Sequence, residues 1–120
     1  MTDKELDTYI ITAVHSNKSL DVSYGGQENC TNVAQYITNK SDYAEQWVLK
    51  QTEDGYYNII SKCNYLNLDV NGGNKNNGAN IQMYEDNGTK AQKFKFEKAE
   101  KNEGTRTIED GVYAIGTKID

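Results

Sequence analysis

From Tyr57 to Phe96 the apolar residues recur in short alternating runs, not in a helical period. Four segments carry β-branched, aromatic or alternating apolar positions: Tyr57-Asn58-Ile59-Ile60, Asn67-Leu68-Asp69-Val70, Ala79-Asn80-Ile81-Gln82-Met83-Tyr84 and Gln92-Lys93-Phe94-Lys95-Phe96. This is the pattern of half-buried strands. Between them stand Asn71-Gly72-Gly73-Asn74, Asn76-Asn77-Gly78 and Asp86-Asn87-Gly88. Glycine and asparagine tolerate the positive φ of tight turns, so these clusters predict the connections. The one helix-like stretch, residues 97–104, has no apolar face and reads as a solvated linker between repeats.

The succession of segments occurs twice. Tyr9, Leu20-Asp21-Val22 and Tyr36 recur as Tyr57, Leu68-Asp69-Val70 and Tyr84, each 48 positions on, and after a one-residue shortening Glu45-Gln46-Trp47 falls on Gln92-Lys93-Phe94. Asp110-Gly111-Val112-Tyr113-Ala114-Ile115 echoes Asp54-Gly55-Tyr56-Tyr57-Asn58-Ile59 and opens a third unit. The reading is one domain over 1–120, with repeat one at 7–53, repeat two at 54–100, a linker at 101–108 and the start of repeat three at 109–120. Four short strands per repeat predict an all-β, barrel-like fold. Strand-period spacing places Trp47, Phe94, Leu49, Phe96, Leu20, Leu68, Val22, Val70, Ile11 and Ile59 in the core.

Charge and composition narrow the function. The 120 residues carry a net charge of -5 with no basic stripe, which argues against nucleic acid as a partner, because phosphate binding needs clustered Lys and Arg. No apolar run approaches the roughly 20 residues that span a bilayer, so no membrane insertion is expected. Residues 1–8 lack the features of a secretory signal. Cys30 and Cys63 are too few for a disulfide framework and read as unpaired thiols. His15 is the single histidine, so no metal cluster built on histidine is expected. Asp69-Val70-Asn71-Gly72 begins like a calcium loop but has Asn80 where a bidentate Glu belongs. No cofactor, no metal and no catalytic residues are expected, since no nucleophile–base motif or paired-carboxylate motif stands out.

The ordered motifs of the second unit, Asp54-Gly55-Tyr56-Tyr57-Asn58-Ile59, Leu68-Asp69-Val70, Asn77-Gly78-Ala79-Asn80-Ile81-Gln82-Met83-Tyr84 and Ala91-Gln92-Lys93-Phe94, resemble the ricin-type β-trefoil lectins, also known as family 13 carbohydrate-binding modules. The first unit is more degenerate, with Glu45 where the motif has Gln. The resemblance implies a β-trefoil in which three units close a six-stranded barrel. Because the third repeat stops at Asp120, the expectation is a truncated third repeat, with the chain a fragment of a longer parent or completed by oligomerisation or strand exchange, since open sheet edges otherwise stay exposed.

Carbohydrate recognition needs an aromatic face for the sugar's C–H surface and fixed polar groups for its hydroxyls. A carboxylate can take two adjacent hydroxyls in charge-assisted bonds, and an amide offers donor and acceptor together. By resemblance the second unit supplies Asp69, Gln82, Tyr84 and Asn87. The first supplies Asp21, Tyr36 and Asn39, with Ala34 in place of Gln82 and hence a weaker site. Gln92 and Glu45 are expected to orient these sites from beneath. The resemblance implies a non-enzymatic lectin module that targets a larger secreted protein to a glycan. The alternative is a trefoil serving as a protein-interaction or structural module.

Overall fold

A computed structural model describes residues 7–98 and a strand at 113–117. In chain order the strands are β1 (Thr8–Tyr9), β2 (Ser19–Val22), β3 (Val33–Tyr36), β4 (Trp47–Gln51), β5 (Tyr57–Ser61), β6 (Asn67–Val70), β7 (Ile81–Tyr84), β8 (Phe94–Lys98) and β9 (Tyr113–Thr117). Short 3₁₀ turns at Ser23–Gly25, Tyr43–Glu45, Asn71–Gly73 and Lys90–Gln92 complete the regular structure. The described residues are thus all-β.

Two kinds of pairing recur. β1, β4, β5, β8 and β9 pair in that succession, all antiparallel, and make the wall around the core. β2 with β3, and β6 with β7, form hairpins in equivalent registers: Asp21 lies opposite Ala34 and Asp69 opposite Gln82. Each hairpin leads through its loop to a 3₁₀ turn, which starts the next wall strand with an aromatic, Trp47 in β4 and Phe94 in β8.

The core forms where hairpins meet wall. Val22, Trp47, Ile59, Leu68, Val70, Met83 and Phe94 are buried, with Ile11, Leu20, Leu49 and Phe96 packed partly buried against them. Trp47 donates its indole N–H to the Leu20 carbonyl at 3.1 Å, which satisfies its one polar atom inside the core. Phe96 meets the Tyr57 ring edge to face at 5.5 Å. Met83 is a core residue that the spacing argument missed. Its counterpart in the first unit is the exposed Gln35, so the repeat gives no hint of burial there.

The units are also joined edge to edge. Met83 donates its N–H to Thr31 (2.9 Å) and accepts from the Cys30 N–H (2.7 Å), while Glu85 N–H donates to the Asn29 side chain at 2.8 Å. The 29–32 loop of unit one is thereby fixed along β7. One expectation needs correction: Glu97 and Lys98 are not linker but the end of β8, opposite Ala114 and Tyr113. Backbone pairing overrides the polar composition there. The rest of that stretch, the linker at 101–108 and Asp110-Gly111-Val112 lie outside the described residues.

Candidate functional site

In the second unit β6 and β7 set Asp69 and Gln82 opposite each other across the hairpin. Asp69 is 5% exposed, and a buried carboxylate requires donors. It has two. Gln82 Nε2 donates to one carboxylate oxygen at 3.3 Å and Gln92 Nε2 to the other at 2.8 Å. Gln92, fully buried in the 3₁₀ turn, also donates to the Glu85 carbonyl at 2.9 Å and accepts the Asn87 backbone N–H at 3.1 Å. A carboxylate oxygen has more than one lone pair, so both oxygens of Asp69 can still accept from a ligand.

Asp69, Gln82, Tyr84 and Asn87 all line one open cavity of about 580 Å³, a size ordinary for small-ligand pockets. Its lining includes the exposed Gly72, whose φ of +65° suits glycine and whose missing Cβ would meet nothing within 4 Å. Asn87 uses its side-chain oxygen locally, accepting from the Thr89 N–H (3.0 Å) and hydroxyl (2.8 Å). Its amide N–H groups have no partner among the described residues. Gln82 is buried, with its amide nitrogen on Asp69, and lines the cavity from within, not from its rim. Cys30, held by the edge contact with β7, adds a wall from the other unit.

The first unit has the same framework with different chemistry. Glu45 takes the place of Gln92: it is 1% exposed, sits in the 3₁₀ turn, and accepts the Asn39 backbone N–H at 2.7 Å. Where Gln92 offers an N–H to Asp69, however, Glu45 presents a second carboxyl to Asp21. Ala34 removes the other amide. Asp21 is therefore pushed up from 3.8 to about 7, first by burial, then by its hydrogen bond to Glu45 and that group's charge, and least by the charge of Asp42.

The cavity here, about 550 Å³, is lined by Asp21, Ala34, Tyr36 and Asp42, together with Tyr24. Asn39, expected here, does not line it. Its side-chain oxygen is taken by the Ser41 N–H at 3.0 Å in a local turn. Tyr24, which sequence reasoning passed over, is fully exposed and sits at φ +55° in the Ser23–Gly25 turn. A non-glycine side chain in that left-handed region carries a backbone cost of about 1–2 kcal/mol. The sign available in the sequence was the repeat itself, which sets Tyr24 on Gly72.

Among the described residues no group of three His, Cys, Asp or Glu side chains is placed to hold a metal ion, and no helix is long and apolar enough to cross a membrane. Cys30 and Cys63 are free thiols.

Known proteins share this architecture. A designed three-fold symmetric protein, ThreeFoil, superposes with a TM-score of 0.80 at 28% identity, over 93% of this chain and 73% of that one. An exo-β-1,3-galactanase from Clostridium thermocellum superposes with a TM-score of 0.81 at 27% identity, covering 96% of this chain but 23% of the galactanase. A β-1,3-galactosidase of the GH43 type matches with a TM-score of 0.62 at 27% identity, over 73% of this chain and 17% of its own. The chain thus spans less than a quarter of either enzyme. No curated protein matches it. The fold is a β-trefoil, and the family model for the ricin-type beta-trefoil lectin domain-like proteins matches residues 2–84 and 44–115, so the chain belongs to that family.

Proposed function

We propose that the protein is a carbohydrate-binding domain whose stronger site is the Asp69 cavity. The observation that carries the reading is Asp69 itself. It is a buried carboxylate held by two amides yet open to a cavity whose wall is the Tyr84 ring. Such a group accepts two adjacent hydroxyls while the ring covers the sugar's C–H face. Galactose and β-1,3-linked galactosides are the first sugars to try, because the two similar enzymes are described as acting on such linkages. In this reading the domain binds without catalysis, is exported, and serves to hold a larger protein at a glycan.

A glycan array on the chain, followed by NMR titration of wild type and Asp69→Ala, tests this. A single shallow site should bind with a Kd of roughly 0.1–1 mM, about 4–5 kcal/mol. Loss of two charge-assisted bonds at about 1.5–3 kcal/mol each takes binding below detection. The backbone spectrum of the variant should stay folded, because Gln92 Nε2 keeps the Glu85 carbonyl. Normal sugar binding by Asp69→Ala would refute the site. An array with no hits from folded wild type would refute the carbohydrate reading and favour a protein-interaction or structural module.

A further inference from the structure

Three differences between the units bear on the first cavity: Ala34 and Tyr24 in its lining, and Glu45 buried against Asp21. Glu45 replaces Gln92 and Ala34 replaces Gln82, so both amides that support Asp69 are gone from Asp21. Tyr24 replaces Gly72, so the turn that is bare in unit two carries an aromatic ring in unit one. The amide support of the central carboxylate is lost and stacking surface is added.

The register says where that surface lies. Tyr36 ends β3 opposite Ser19, whereas Val22 ends β2 opposite Val33 and Tyr24 follows it in the turn. Three strand residues separate these levels, about 10 Å at about 3.3 Å each. The backbones of the two tyrosines therefore stand at opposite ends of the cavity, with Asp21 between them. No core contact accounts for Tyr24: its ring is fully exposed and its backbone is held in a conformation that glycine would adopt more readily. An exposed ring at a strained position beside a cavity has the character of a ligand platform.

We infer that Tyr24 is the platform of a second subsite in unit one, so that this unit takes two or more consecutive rings of an oligosaccharide where unit two takes one. The inference rests on the carbohydrate reading above. One ring lies on Tyr36 beside Asp21, and the next lies on Tyr24. Stacking compensates for the amides that Asp21 lacks, because an aromatic face needs only apolar C–H surface and no particular hydroxyl.

The test is residue-resolved NMR titration of the chain with galactose, glucose, xylose and N-acetylglucosamine and with the β-linked disaccharide of each. For sugars that move the Asp21 and Ala34 amides, the disaccharide should bind unit one roughly tenfold more tightly than the monosaccharide, the value of one added aromatic contact. Tyr24→Gly should abolish that preference with no loss of fold, since glycine is at ease at that φ. Tyr24→Phe should keep it. Gly72→Tyr should create the preference in unit two, where a side chain meets open space. A length preference that survives Tyr24→Gly, equal affinity for both lengths in wild type, or unit-one amides that never move while unit two binds would each overturn the inference. Absence of binding at both units would instead remove the carbohydrate reading beneath it.

Discussion

Replacing Glu45 with glutamine gives Asp21 the partner that Asp69 already has. The oxygen of the new amide keeps the Asn39 N–H, as Gln92 keeps that of Asn87, and its nitrogen donates to Asp21 where Glu45 now opposes it. In the wild type Asp21 is raised from 3.8 to about 7, so the native chain holds this proton more tightly than the unfolded chain does. The stability linked to it is complete below the unfolded value and is lost as pH rises through about 7. At about 1.4 kcal/mol for each tenfold change in proton affinity, the whole change would amount to about 4 kcal/mol. Asp21 is only half-buried, and solvent screening reduces this to about 1–2 kcal/mol. Urea unfolding of wild type and Glu45→Gln at about pH 4 and about pH 8 reads the effect directly. The variant should gain part of this, about 1 kcal/mol, on wild type between the two conditions, because Glu45 no longer opposes Asp21 while burial and Asp42 still do. In parallel, the Asp21 carboxyl ¹³C signal should titrate near neutrality in wild type and at lower pH in the variant, where burial and Asp42 still hold it up but Glu45 no longer does. Parallel stability curves, or a wild-type Asp21 that titrates like a surface aspartate, would refute the account of the pair.

Two further outcomes follow from the same contacts. Combining Ala34→Gln with Glu45→Gln rebuilds in unit one both amides that hold Asp69, and monosaccharide affinity there should rise roughly tenfold at neutral pH, about one hydrogen bond's worth; NMR titration at the Asp21 amide reads it, and unchanged affinity would mean that the amides do not organise the site. Trp47→Ala removes the largest buried side chain and the indole bond to Leu20, so thermal or urea unfolding should report a loss of about 3–5 kcal/mol, whereas a loss under about 1 kcal/mol would mean that Trp47 is not central to the core.

The strands and most of the core were legible because both are written locally. Alternation in Leu68-Asp69-Val70 marks a strand whatever lies around it, and Trp47 and Phe94 reveal each other through the repeat. What was missed depends on neighbours distant in sequence. Met83 is buried although its repeat partner Gln35 is exposed, and Cys30 walls the second cavity only because its loop bonds to the edge of β7. Asn39 was placed in the first site by analogy with Asn87, but its side-chain oxygen closes a local turn and the residue stays out of the cavity. Glu97 and Lys98 read as solvated by composition, yet they are strand through pairing with β9.

Glu45 shows why a repeat can keep its fold while changing its chemistry. The residue at this position performs two tasks through two atoms. One oxygen captures the backbone N–H of Asn39 or Asn87, which fixes the loop after the hairpin, and glutamate and glutamine serve equally as acceptors there. The second atom decides the charge of the site: an amide nitrogen donates to Asp69, whereas a carboxyl oxygen must share a proton with Asp21 or repel it. Exchange between the two residues therefore costs the fold little and changes the site greatly. The other differences sit away from the core: Ala34 lies on the exposed face of β3, and Tyr24 in a turn whose counterpart, Gly72, has open space at its Cβ, so that its cost is confined to a local positive φ. The two cavities can thus diverge in what they hold without disturbing the core that both hairpins share.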